Sequence, residues 1–282
     1  MIARLAIVGV GLLGGSVARA ARARGLAGHI TGIGRDRERL APAQQDGTLD
    51  AVTTDVAEGV RDADVIVLAA TVLANDTLLA QVWQAAPPGA VVTDVGSTKR
   101  GIVAAAGRLG GQRRVRFVGS HPMAGSERSG YAIARADLFD GATVIVTPTE
   151  TTDPDGVKTV VGFWEATGAR VATMDPDAHD RAMAAISHLP HVVAWALVDA
   201  VARFEPGALD VAARGFKDTT RIAASDPLVW TEILLANRDA VAASVRAFRD
   251  ALDDLERRIA AGDGAAVEAT LARIKALREA VK

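Results

Sequence analysis

The chain has 282 residues, of which 49% are hydrophobic and 23% charged, with a formal net charge of −2. That balance predicts a globular protein of one large or two ordinary domains, and gives no global electrostatic case for nucleic acid or a charged membrane surface. The absence of cysteine excludes disulfides, thiolate catalysis and thiolate metal sites, and suits a reducing cytoplasm.

The N-terminal run MIARLAIVGVGLLGG is apolar, but glycines interrupt it and no small-residue cleavage site follows. It therefore reads as strand and turn, not as a signal peptide. Further apolar runs at 29–34, 64–70, 90–96, 116–120 and 142–147 join the one at 4–10 as predicted strands, mostly separated by alanine-rich stretches of helical spacing. Strands alternating with helices imply parallel βαβ units, and strands apolar on both faces imply helices on both sides of the sheet. After a polar turn at 149–156, VKTVVGFWEATGA reads as a helix and RVATMD as one more strand. Beyond Asp175 the pattern becomes helical. Val241, Val245, Phe248, Leu252, Leu255 and Ile259 recur at spacings of four and three, and after a break at 261–264 Val267, Leu271, Ile274 and Leu277 do the same. The expected architecture is a Rossmann-type, doubly wound, mostly parallel α/β domain over 1–174, then an all-helical domain over 175–282. No window approaches about 18 uninterrupted apolar residues, so no membrane-spanning helix is expected.

The first strand runs into Gly9-Val10-Gly11-Leu12-Leu13-Gly14, a G-x-G-x-x-G turn that opens a helix. In that context the pattern points to a dinucleotide: Gly9 makes the turn, Gly11 admits the pyrophosphate, and Gly14 lets helix and strand pack. The amides at the helix start, around Leu12 and Leu13, face the anion. The second strand ends in Gly34-Arg35-Asp36. NAD-binding folds usually place an acid there, which would repel a 2′-phosphate. Gly34 removes that acid and Arg35 can pair with the phosphate, so NADP is the favoured cofactor. Asp36, close by, keeps NAD as the alternative.

Two histidine clusters follow. VGSHPMAGSE (118–127) carries His121, and ISHLPH (186–191) carries His188 and His191. A nicotinamide lies at the carboxyl ends of the parallel strands. DVGSTK (94–99) would bring Ser97 there, and the next strand would bring His121. Hydride transfer from an alcohol carbon needs a base for the hydroxyl proton, and imidazole has a suitable pKa. Ser97 could orient His121. Taken singly, His121 could instead cap loop backbone, Arg221 could be a surface cation, and His188 could order the turn before Pro190. His179 reads as the first turn of a helix. His188 and His191 are three apart, but no third ligand is placed near them, so no metal is expected.

DVGSTK, GSHPMAGSE, ISHLPH and GFKDTTRIAASDPLVW (215–230), in that order on a two-domain plan, resemble the prephenate and arogenate dehydrogenases over nearly the whole chain. The resemblance implies NAD(P)-dependent oxidation at C4 of a cyclohexadienyl alcohol with loss of the ring carboxylate as CO2, in tyrosine biosynthesis. It implies His121 as the base for the C4 hydroxyl, and Ser97 bonded to that histidine and to the substrate. It implies Arg221 and His191 as substrate-binding residues, and Lys217, Asp218, Glu127 and Trp230 at the pocket's edge. A cytoplasmic homodimer joined through the helical domains is implied too. The competing expectations are a β-hydroxyacid dehydrogenase of related plan with Lys217 as base, and a non-catalytic nucleotide sensor.

Overall fold

The computed structural model describes residues 2–110, 115–126 and 128–281. Strands β1 (Ile2–Val8), β2 (Ala27–Ile33), β3 (Ala51–Thr53), β4 (Val65–Leu68), β5 (Val91–Asp94), β6 (Arg116–Pro122), β7 (Thr143–Thr147) and β8 (Arg170–Thr173) form one sheet. Its order is β3-β2-β1-β4-β5-β6-β7-β8. All neighbours are parallel except β6 and β7, so the last two strands run against the first six. The chain reverses direction across the sheet between β1 and β4, which makes the crevice at their carboxyl ends the expected ligand site of such a fold.

Helices α1 (Leu12–Ala23), α2 (Arg37–Gln45), α3 (Val56–Val60), α4 (Val72–Ala85), α5 (Arg100–Leu109) and α6 (Pro154–Ala166) accompany the sheet. Alternate residues of β1 enter two different cores. Leu5 and Ile7 pack with Val17, Phe139 and Trp164, while Ala6 and Val8 pack with Ile33, Leu79 and Trp83. Neither face is wet from Leu5 to Val8, so that part of the strand is an unbroken apolar run. β3 and α3 are too short, at three and five residues, to leave a periodic trace in sequence.

The C-terminal part is helical: α7 (Pro176–Met183), α8 (Leu189–Phe204), α9 (Arg214–Thr220), α10 (Pro227–Ala236), α11 (Arg238–Ala260) and α12 (Gly264–Glu279). A π-helical turn over Ala184–His188 joins α7 to α8. Its cause is Pro190, which has no N–H to give and crowds the carbonyl of Ile186 four residues back, so the ladder widens. The resulting helix, Pro176–Phe204, is continuous over 29 residues and is long and apolar enough to cross a membrane by length and composition alone. Core helices of globular proteins meet the same test, and this one carries His179, His188 and Ala194 in the interior. Along α11 the apolar seam begins in the core at Val241 but emerges at Leu252 and Ile259, which are 52% and 62% exposed. On α12, Leu271 and Leu277 are 51% and 60% exposed.

Carboxylates of the helical part cap helices of the sheet part. Asp180 of α7 accepts from the amides of Lys99 (2.7 Å) and Arg100 (3.0 Å) at the start of α5. Glu232 of α10 accepts from the amide of Leu73 (3.0 Å) at the start of α4. Neither α4 nor α5 has a side-chain cap from its own N-cap residue. These unpaired amides and the helix dipoles favour an incoming carboxylate. Asn237, fully buried, adds a bond of 2.7 Å to the carbonyl of Asp180.

Candidate active site

The glycine turn has the shape a dinucleotide needs. Gly9 lies at φ +99°, where a Cβ would sit 2.6 Å from the carbonyl oxygen of Ala69 after β4. A Cβ on Gly14 would lie 2.0 Å from the oxygen of Gly9, so α1 packs directly on the turn. A Cβ on Gly11 would meet nothing within 4 Å, and the start of α1 has no side-chain cap. Open space beside uncapped helix amides fits a pyrophosphate. At the end of β2, Gly34 offers no carboxylate. Asp36 spends its own on α2, accepting from the amide of Glu38 at 2.8 Å and lying 3.6 Å from Arg39. Arg35 is exposed.

β6 carries His121. Where β5 ends, β6 continues and pairs instead with β7, His121 opposite Ile145. The histidine is thus on a strand that overhangs the sheet's carboxyl edge, not on the loop the sequence implied. The residue before it is held tightly. Ser120 gives its one hydroxyl proton to the carbonyl of Asp94 (2.6 Å), so it must accept from Thr93 (2.9 Å) and from the indole N–H of buried Trp164 (3.0 Å). The Asp94 carboxylate accepts from the amides of Gly96 (2.9 Å) and Ser120 (3.1 Å) and pairs with the Lys99 ammonium. Both side chains of that ion pair are fully buried. Burial pushes the Lys99 pKa down, opposed by the Asp94 charge.

His121 Nδ1 lies 2.9 Å from His179 Nε2, and His179 Nδ1 lies 2.8 Å from Asp180 Oδ1. The sequence led to the expectation that Ser97 orients His121. Among the described residues no hydrogen bond joins those two, and the Nδ1 partner is His179. Ser97 is half-buried in the turn after β5. His121 is held well below the usual histidine pKa, by burial first and then by His179, Lys99 and His188. It is therefore a neutral imidazole at neutral pH, as a base must be. Burial pushes Asp180 up, yet the bonds from His179 and from the Lys99 and Arg100 amides bring its carboxyl below the ordinary value.

The second cluster adjoins the first. His188 is one of the charges felt by His121, and its ring meets Trp230 edge-on at 6.0 Å. Trp230 stacks on His191 with ring centroids 3.5 Å apart. His191 Nδ1 donates to the carbonyl of Ser187 at 2.9 Å, which leaves its Nε2 as an acceptor. The His191 pKa is lowered, by burial first, with Arg221 acting in the same direction. His188, Trp230 and His191 form one ring cluster in the helical part; the charge of His188 acts on His121, and that of Arg221 on His191. Lys217 and Asp218 stand outside it, both exposed on α9, Asp218 paired with Arg214 at 3.2 Å. Glu127 falls outside the described residues.

Sequence reading assigned no role to His179 and Asp180. A signal was present: Pro176, His179, Asp180 and Met183 share one helical face by spacing, and all four are buried. A histidine and an aspartate on such a face must find polar partners.

Family models describe the two halves of this chain as "Prephenate dehydrogenase, nucleotide-binding domain" over residues 17–173 and "Prephenate dehydrogenase, dimerization domain" over 175–273. The chain belongs to the prephenate dehydrogenase family. It is thereby an oxidoreductase of the group that serves tyrosine biosynthesis. A prephenate dehydrogenase of Bacillus subtilis is 37% identical over 242 residues, covering 83% of this chain, and the chain spans 64% of that protein's length. Prephenate dehydrogenase of Aquifex aeolicus, solved with hydroxyphenyl propionate and NAD+, superposes with a TM-score of 0.93 at 34% identity, over 100% of this chain and 99% of that one. Arogenate dehydrogenase of Synechocystis superposes with a TM-score of 0.85 at 30% identity, over 98% and 99%.

Proposed function

We propose that this prephenate dehydrogenase family member oxidises and decarboxylates prephenate or arogenate, with His121 as general base and NADP as preferred cofactor. The observation that carries the reading is the place of His121: a buried imidazole on the overhanging end of β6, its Nδ1 bonded to His179, beside the turn that holds Ser97. In the reaction His121 Nε2 takes the C4 hydroxyl proton as the C4 hydride departs. The C–CO2 bond then breaks, and its electron pair completes the aromatic ring. The nicotinamide, when bound, accepts the hydride. Ser97 holds the hydroxyl. Arg221 and the Nε2 of His191 meet the substrate's polar groups, with Trp230 fixing the His191 ring plane. A guanidinium suits a carboxylate because it can bind both oxygens at once. The leaving carboxylate must not be gripped equally, since binding it as tightly in the ground state would not speed its loss.

NADP is preferred because β2 ends in Gly34 while Asp36 is committed to capping α2. We assign residues 1–174 to the cofactor and 175–282 to substrate binding and self-association, as a cytoplasmic homodimer. The apolar residues that emerge along α11 and α12 supply its interface. Lys217 and Asp218, exposed on α9, are assigned to the pocket's rim.

Replacing His121 with Asn tests the assignment. Turnover should drop by roughly 10²- to 10⁴-fold, the usual contribution of a positioned base, while cofactor affinity is unchanged. Steady-state assays with each substrate against each cofactor measure both preferences. Wild-type turnover in the variant would remove the general-base role.

A further inference from the structure

We propose that His179 and Asp180 are a positioning pair that locks His121 in the tautomer with a free Nε2, so that the base is assembled only when the helical part docks on the sheet. The inference rests on His121 being the base, as read above. Three contacts carry it. The Asp180 carboxylate is an acceptor only, so the bond of 2.8 Å must be donated by His179 Nδ1–H. In a neutral His179 the single ring proton is thereby spent, and Nε2 is left with a lone pair. That lone pair lies 2.9 Å from His121 Nδ1, so His121 must carry its own proton on Nδ1. Its Nε2 is then bare and available to accept the substrate proton. When it does so, the imidazolium formed keeps its Nδ1–H bond to His179.

The Asp180 end of this chain is anchored as well. Its two oxygens accept from the Lys99 and Arg100 amides at the start of α5, and Asn237 holds its carbonyl. His179 is 0% and Asp180 1% exposed, so no water competes for the bonds. The groups facing His121 and His179 are Lys99 from the β5–α5 turn and His188 from the π-helical turn, with Asp180 alongside. His121 comes from β6 and its two supports from α7, 58 residues away. A sheet domain without its helical partner would hold a histidine of unspecified tautomer. That gives a physical reason for the buried polar pair at the domain junction, where apolar side chains would otherwise pack more simply.

The test has a spectroscopic and a kinetic arm. In enzyme labelled with ¹⁵N-histidine, the ring of His121, identified by its loss in His121→Asn, should be protonated at Nδ1. Protonation at Nε2 would overturn the proposal without any variant having to fold. Kinetically, His179→Phe removes the acceptor and should lower kcat by about 10²-fold with KM within about threefold, since most of a base's contribution is lost. His179→Gln puts a carbonyl oxygen near the position of Nε2 and should restore kcat to within about tenfold of wild type. Equal kcat in wild type and His179→Phe, or equal loss in Phe and Gln variants, would also overturn it. If His121→Asn is inactive while His179→Phe is not, the positioning pair fails and the base reading stands. If His121→Asn retains turnover, the base reading itself has failed.

Discussion

Replacing Lys99 with Met removes one charge from a place where neither partner meets water, since the Lys99 and Asp94 side chains are 0% and 1% exposed. Met keeps most of the stem's volume, so the change isolates the ammonium. The Asp94 carboxyl, still accepting from Gly96 and Ser120, must then stay charged without a cation or take up a proton. Removing one partner of a buried pair costs roughly 3–5 kcal/mol in general, and that is the penalty expected at pH 7. The folded variant would bind a proton that the unfolded chain releases, so its stability falls as pH rises. The penalty should therefore be smaller at pH 5 than at pH 7. Urea unfolding of both proteins at pH 5 and pH 7, at matched protein concentration, measures the two differences. A penalty under about 1 kcal/mol at pH 7, or one that does not change between the two pH values, would refute the reasoning. Lys99 also helps to depress His121, so the acidic limb of kcat/KM should move to higher pH in the same variant.

His188 is held at about 4, by burial above all. Its folded value lies below the unfolded one, so the unfolded chain takes the proton first. Stability should hold above about pH 6.5 and then fall by about 3 kcal/mol by pH 4. His121 acts in the same direction, and urea midpoints that stay flat or rise between pH 7 and pH 5 would contradict the burial of both rings. Arg35→Ser should raise KM for NADP by about tenfold, the worth of one charge-assisted bond, and leave KM for NAD unchanged; equal effects on both cofactors would place Arg35 away from the 2′-phosphate. Leu252→Asp with Leu271→Asp should shift sedimentation from dimer to monomer at micromolar protein, and an unaltered dimer would move the interface elsewhere on the helical part.

What the linear chain determined by itself was whatever depends on short-range pattern. The G-x-G-x-x-G turn is a pattern within six residues, so Gly9, Gly11 and Gly14 marked the passage from β1 to α1 in the sequence itself. Strands buried on both faces showed themselves as unbroken apolar runs, and the α11 and α12 seams showed themselves by spacing. The family likeness rested on four local motifs. The tertiary structure alone decided which polar groups meet. Ser97 stands closest to His121 among the named catalytic residues in sequence, yet the Nδ1 bond goes to His179, 58 residues on. Asp94 and Lys99 become an ion pair only because the turn after β5 folds back, and Asp180 caps a helix 80 residues before it. A hydrogen bond depends on angstrom-scale approach between elements that pack for apolar reasons. Spacing along the chain contains no record of that approach until the core has formed.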